Sequence, residues 1–151
     1  MQRLFSTLVT VFWALWFGGL VMLFIAVQSL FKTFPRETAG QGAAPIFHLF
    51  NAYQLALATL VLICTFVWRL IGPPKRTTWL FAFFAVATLL GCFVTLHLAP
   101  KIELLQHQGQ THSDLFKRYH GWSMMTYMGE TIALLIAGFL LPSTPVKEPS
   151  A

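Results

Sequence analysis

Residues 4–31 of the chain read LFSTLVTVFWALWFGGLVMLFIAVQSLF. Five polar residues interrupt this apolar run, namely Ser6, Thr7, Thr10, Gln28 and Ser29. At a rise of about 1.5 Å per residue, a helix over this stretch is longer than the roughly 30 Å hydrocarbon layer of a bilayer. The run is also too long for a signal peptide, whose apolar segment covers roughly 7 to 15 residues. The stretch therefore predicts a membrane-spanning helix.

The composition of the whole chain agrees with a lipid environment. Of its 151 residues, 56% are hydrophobic and 10% are charged, whereas soluble domains carry about 25% charged residues. This excludes an ordinary soluble enzyme, since one small core cannot bury so many apolar side chains. The net charge of +5 does not indicate nucleic-acid binding, because the basic residues lie at or between apolar runs. Cys64 and Cys92 form neither a disulfide framework nor a zinc spacing.

Three further apolar runs cover about residues 46–71, 79–99 and 121–141. We expect a helix in each, because lipid does not tolerate unpaired backbone groups and no alternating strand pattern occurs. The sequence thus predicts a four-span membrane domain over residues 1–142, an all-α antiparallel four-helix bundle. Residues 143–151, rich in proline and polar side chains, are expected to be a disordered tail.

The connector over residues 101–120 contains a helix signal of its own. Ser113 and Asp114 resemble a helix start, with Phe116 and Tyr119 on one side of the helix that follows. We therefore expect a short interfacial helix before the fourth span.

Four spans place both termini on the same side of the membrane, and Lys and Arg in the short loops indicate which side it is. The 10 basic residues divide evenly between the two sides. However, Arg69, Lys75 and Arg76 concentrate around the turn between the second and third spans. We therefore expect this turn and both termini to be cytoplasmic.

Small and polar residues at helical spacing predict which helix faces meet, because such residues mediate helix association in lipid. The predicted stripes are Ser6, Thr10, Ala14 and Gly18 on the first span; His48, Asn51, Gln54 and Ala58 on the second; Ala85, Thr88, Cys92 and Thr95, beside Gly91, on the third; and Ser123, Thr126, Glu130, Ala133 and Ala137 on the fourth.

Glu130 is the single acidic residue inside a predicted span, about 13 Å beyond Gly121 and near mid-depth. A charge at the bilayer centre costs at least about 2.5 kcal/mol. No Lys or Arg lies in the interior of a span, Arg69 being near the end of the second, so burial favours the neutral acid. Gln54, about 12 Å beyond Ile46, has a similar depth. We therefore expect Glu130, Gln54 and Asn51 to form an intramembrane polar contact, with a Glu130–Gln54 hydrogen bond. A proton relay and a ligand contact are the alternatives.

The histidines are the second candidate group. His48 lies near the start of the second span and His97 near the end of the third, so the two imidazoles could face each other and ligate haem or a transition metal. No recognised ligation spacing is present in the sequence. We therefore expect no bound cofactor or metal, and a haem- or metal-binding electron carrier with His48 and His97 as ligands is the alternative.

Several short motifs occur in one order along the chain, namely Trp16-Phe17-Gly18-Gly19, Phe34-Pro35-Arg36, Pro100-Lys101-Ile102, and His120-Gly121 before Ser123. Together they resemble the bacterial branch of the transmembrane protein 205-like family, from about Phe12 to Leu141. The resemblance implies a four-span domain of a bacterial inner membrane without an assigned activity, and the animal namesake is linked to drug resistance and vesicular trafficking. It marks Pro100, His120, Gly121 and Ser123 as family-typical, and a structural role at the start of the fourth helix suffices for His120 and Ser123.

These observations predict a small non-enzymatic membrane protein, acting as a scaffold or as part of a transport or stress-tolerance assembly. Its expected environment is the lipid bilayer, with a homo-oligomer or a membrane protein partner as candidates and no nucleic acid. A proton-coupled carrier using Glu130 is the second alternative, after the electron carrier.

Overall fold

The computed structural model describes residues 1–71 and 74–141. In these ranges the elements are α1 (Gln2–Thr33), α2 (Arg36–Ile71), α3 (Pro74–Phe93), a π-helical turn (Val94–Leu98), α4 (Ala99–His107) and α5 (Asp114–Leu140). Because α3, the π turn and α4 are continuous, four helices in the described ranges are long and apolar enough to cross a membrane. The predicted tail over residues 143–151 lies outside the described residues.

The second long helix begins at Arg36, whereas the sequence predicted a connector up to Pro45 and a helix from Ile46. Pro45 lies inside α2, although proline removes one hydrogen bond from a helix interior. Ala39 and Ala43, which we expected in the connector, are buried. Their packing stabilises the first turns of α2 against the loss at Pro45, since tertiary contacts override local helix propensity.

The third long helix also extends beyond its predicted range of residues 79–99. In the π turn the Ala99 N–H donates to the Val94 carbonyl, one residue further back than in an α-helix. Pro100 lies in the first turn of α4, where its missing N–H is tolerated. The third long helix thus continues past Pro100, where the apolar run ends, because the wider turn before Pro100 lets the chain stay helical.

The last long helix starts where the sequence predicted a helix start. Ser113 Oγ accepts a hydrogen bond from the Phe116 N–H at 3.1 Å, and Gly109, with φ 67°, follows the end of α4 in the left-handed conformation that glycine adopts readily. The predicted separate interfacial helix is wrong, because α5 runs from Asp114 to Leu140 without interruption. Gly121 does not break it, since one glycine costs a helix only about 1 kcal/mol.

The long helices pack around one buried core. α1 contacts α2 and α5, α3 contacts α2 and α5, and α4 contacts α5. Large apolar side chains cover much of the outside; Leu49, Leu89 and Phe139 are 73%, 70% and 82% exposed. Such an apolar exterior is typical of a surface that meets lipid.

α1 packs through a different face from the one predicted. Its buried residues are Val9, Trp16, Leu20 and Leu23. In the predicted small-residue stripe, Thr10 and Ala14 are exposed, and a Cβ added at Gly18 would meet no atom within 4 Å. This prediction is wrong because large side chains of α1, not small ones, fill the space beside its neighbours. The predicted stripes of α2 and α5 do face inward, except for the exposed His48 and the half-buried Thr126.

Candidate functional site

Glu130 lies at the centre of the molecule and is fully buried. α5 presents it on the same face as the buried Ala133 and Ala137, whose small side chains let neighbouring helices approach. The Trp16 indole N–H, on the buried face of α1, donates to Glu130 Oε1 at 2.9 Å. Trp16 is also fully buried, so this hydrogen bond joins α1 to α5 out of contact with solvent.

A second set of buried hydrogen bonds lies around Asn51 and Gln54 on α2. The Tyr127 hydroxyl on α5 donates to Asn51 Oδ1 at 2.7 Å. The Gln54 Nε2 group donates to Asn51 Oδ1 at 3.3 Å and to Thr95 Oγ1, in the π turn, at 3.2 Å. We call these two hydrogen-bonded sets the polar cluster, and its members are Trp16, Asn51, Gln54, Thr95, Tyr127 and Glu130. The cluster thus connects all four long helices.

Gln54 and Glu130 approach each other beside Gly91, but not through the predicted hydrogen bond. A Cβ added at Gly91 would lie 3.5 Å from Gln54 Nε2 and 3.6 Å from Glu130 Oε2. The carboxyl bonds to Trp16, while the Gln54 amide bonds to Asn51 and Thr95. Gln54 Oε1 and Glu130 Oε2 are buried and have no hydrogen-bond partner among the described residues.

The sequence analysis missed Trp16 and Tyr127 as members of the cluster. An indole N–H or a phenol hydroxyl that is buried usually needs a hydrogen-bond partner, which was the available signal. Tyr127 also precedes Glu130 by one helical turn and so shares its face. Trp16 could not be assigned in this way, because the small-residue stripe indicated another face of α1.

A cavity of about 260 Å³ adjoins the cluster between α2 and the π turn with α4. Its lining residues are His48, Asn51, Ala52, Leu55, Thr95, Ala99, Pro100 and Glu103. His48, Pro100 and Glu103 are exposed, whereas Asn51 belongs to the buried cluster. The cavity therefore leads from the protein surface to the polar cluster.

The two histidines proposed as alternative ligands have different surroundings. His48 lines the cavity. His97 is exposed, its ring stacks on Phe93 with centroids 5.3 Å apart, and its Nε2 lies 2.9 Å from Lys101 Nζ. The cavity is thus lined by His48 but not by His97. In the described ranges, no group of three or more His, Cys, Asp or Glu residues could hold a metal ion.

The family-typical residues are not brought into one site. Pro100 lines the cavity, His120 and Gly121 are exposed, and Ser123 is buried. The His120 ring stacks on Phe116 with centroids 5.9 Å apart. The side-chain cap of α5 comes from Ser113, so capping by His120 or Ser123 is not needed there.

Four apolar helices around buried polar side chains are the features of a multi-pass membrane protein. The family described as a domain of unknown function (DUF4149) matches residues 11–111. This is more than half of the chain, and the chain belongs to that family. The match includes the α1, α2 and π-turn members of the polar cluster and ends before its two α5 members. Comparisons with curated proteins and with solved structures give no match.

Proposed function

We propose that the protein is a non-enzymatic integral membrane protein whose helices form an antiparallel four-helix bundle. The polar cluster is the observation that carries this proposal. Its hydrogen bonds run between helices, as in Trp16 to Glu130 and Tyr127 to Asn51. In lipid, where burial of apolar surface does not drive helix association, such bonds and close packing determine which helices meet. The cluster therefore serves to hold the bundle together.

A scaffold, or a component of a transport or stress-tolerance assembly, is the role that we propose for this bundle. The resemblance to the transmembrane protein 205-like family supports a bacterial inner membrane as its location. As partners of the bundle we propose a second copy of the chain or another membrane protein. The positive charges at Arg69, Lys75 and Arg76 support cytoplasmic termini.

Cysteine labelling in intact cells tests this arrangement. In a chain with Cys64→Ala and Cys92→Ala, we expect Gln108→Cys and Gly40→Cys to react with an impermeant thiol reagent, and Pro74→Cys to react only after the cells are opened. Both external positions accept the change, since Gln108 is exposed and a Cβ at Gly40 meets nothing within 4 Å. If only the Pro74→Cys variant were labelled in intact cells, the orientation would be the opposite of the one proposed. Equal labelling of all three variants would contradict the bundle.

A further inference from the structure

We propose that Glu130 is a proton-binding site that exchanges protons with the cavity at His48 and Glu103. The proposal rests on the membrane-spanning arrangement described above, but not on the scaffold role. It assigns a ligand, the proton, to the one carboxyl in the polar cluster, and it assigns a route by which that ligand reaches the carboxyl.

Two buried oxygens without donors are the first observation. Gln54 Oε1 and Glu130 Oε2 have no hydrogen-bond partner among the described residues, and both side chains are fully buried. Leaving a buried polar atom without a hydrogen bond destabilises a protein, so the two oxygens call for a physical explanation. Both atoms are hydrogen-bond acceptors, so each of them lacks a donor. A proton on Glu130 Oε2, or a water molecule between the two oxygens, supplies it.

Continuity with the cavity is the second observation. Asn51 and Thr95 line the cavity and are also the two acceptors of the Gln54 amide hydrogen bonds. Gln54 in turn lies beside Gly91, next to Glu130 Oε2. Polar side chains thus follow one another from the surface to the carboxyl. On the other sides of the carboxyl, the Trp16 indole occupies Oε1 and apolar helix faces surround the cluster.

The π turn positions Thr95 at the boundary between the cavity and the cluster. π turns inside α-helices are rare and occur frequently at functional sites. Here the turn ends at Leu98, two residues before Pro100, and Thr95 and Pro100 both line the cavity. The irregular backbone of the π turn therefore lies beside the cavity, where a proton pathway needs polar groups. Membrane proteins tolerate irregular backbone where it lines a water-filled cavity.

The transfer is a proton exchange without oxidation or reduction. A hydronium ion in the cavity gives one proton to the Thr95 hydroxyl and remains as water. Thr95 passes its own proton, through a water molecule beside Gln54 Oε1, to ionised Glu130 Oε2, and the reverse steps return the proton to the cavity. The groups facing Glu130 are the Trp16 indole from α1, the Gln54 amide from α2 and, on its own helix, Tyr127. The other titratable groups on the route are His48 and Glu103 at the mouth of the cavity.

Infrared spectroscopy of the full chain in lipid nanodiscs tests the proposal. The carbonyl stretch of a protonated carboxylic acid shifts when its hydrogen is exchanged for deuterium, and Glu130→Gln identifies the contribution of Glu130. We expect this band to be present and to shift within the dead time of transfer into D₂O, while the amide hydrogens of α5 remain unexchanged. A band that exchanges only as slowly as those amides would overturn the route.

Thr95→Val tests the route itself, because it removes the hydroxyl but keeps the volume of the side chain. We expect it to slow the exchange of the Glu130 carboxyl out of the dead time, so that the shift of the band becomes a time-resolved phase. Thr88→Val is the matched control: Thr88 is also half-buried on the third long helix, but its hydroxyl donates to the Phe84 carbonyl at 2.8 Å and it does not line the cavity. Equal effects of the two variants would contradict the route.

Two further outcomes distinguish this proposal from a metal-cation site and from the proposed bundle. If the Glu130 band is absent at neutral pH and ionised Glu130 responds to added sodium ions, the site binds a metal cation and the proton proposal is wrong. Slow carboxyl exchange together with the expected cysteine labelling would overturn the route and leave the proposed bundle standing.

Discussion

The hydrogen bond between Trp16 and Glu130 predicts a coupling free energy between these two positions. Glu130→Leu leaves the fully buried indole N–H without its acceptor, and Trp16→Phe leaves Oε1 without its donor. Interhelical hydrogen bonds in membranes contribute about 0.6 kcal/mol on average and up to about 1.7 kcal/mol. Because both partners here are fully buried, we expect a coupling free energy of about 1 kcal/mol between the two positions.

A double-mutant cycle measures this coupling free energy. The free energy of unfolding is determined by titrating SDS into detergent micelles for the wild type, both single variants and the double variant. Each single variant should be less stable, and the double variant should lose about 1 kcal/mol less than the sum of the two losses. We expect Glu130→Gln to be nearly as stable as the wild type, since its amide oxygen still accepts from Trp16.

Trp13 provides the matched control. Its indole N–H donates to the Leu134 carbonyl at 2.7 Å, so it is the same type of residue between the same helices but does not bond to Glu130. Trp13→Phe combined with Glu130→Leu should be additive within about 0.5 kcal/mol. A Trp16 cycle with no more coupling than this control would refute the role of the hydrogen bond.

The remaining predictions concern packing and cofactors. A Cβ at Gly138 would overlap Trp13 Cζ2, so Gly138→Ala should lower the free energy of unfolding by about 1–3 kcal/mol. A Cβ at Gly18 meets nothing within 4 Å, so Gly18→Ala should leave the free energy of unfolding unchanged or slightly raised. Thermal unfolding in detergent compares the two variants, and equal losses of stability would contradict the packing. We also expect the optical spectrum of the purified protein to lack a haem Soret band; a band abolished by His48→Ala or His97→Ala would favour the electron carrier instead.

The number and type of the long helices could be predicted from the sequence because hydropathy is a local property. Their ends were harder to predict. Pro45 and Pro100 lie at the ends of apolar runs in the sequence, yet both lie within helical segments of the structure. Proline signals a break only when nothing compensates its missing hydrogen bond. At Pro45 the packing of the buried alanines compensates the missing hydrogen bond, and at Pro100 the preceding π turn does so. Neither effect can be predicted from the sequence of one segment alone.

The candidate site divides in the same way. Glu130, Gln54 and Asn51 could be selected from the sequence, since polar residues inside apolar runs are expensive and must face other protein groups. Their partners could not be selected, because a helical period indicates which residues share a face but not what lies opposite that face. Gln54 and Glu130 have similar predicted depths and both lie beside Gly91, but the carboxyl bonds to Trp16 and the Gln54 amide bonds to Asn51 and Thr95.

The sequence alone therefore establishes an all-helical chain with four apolar segments and one acidic residue near the middle of the last of them, because each of these properties depends on neighbouring residues only. The packed helices establish that α1 contributes a buried face of large side chains with Trp16 among them, that four helices share the polar cluster, and that a cavity reaches the cluster beside the π turn. These features depend on which surfaces meet, and residues as distant in sequence as Trp16 and Glu130 become neighbours only when the helices pack together.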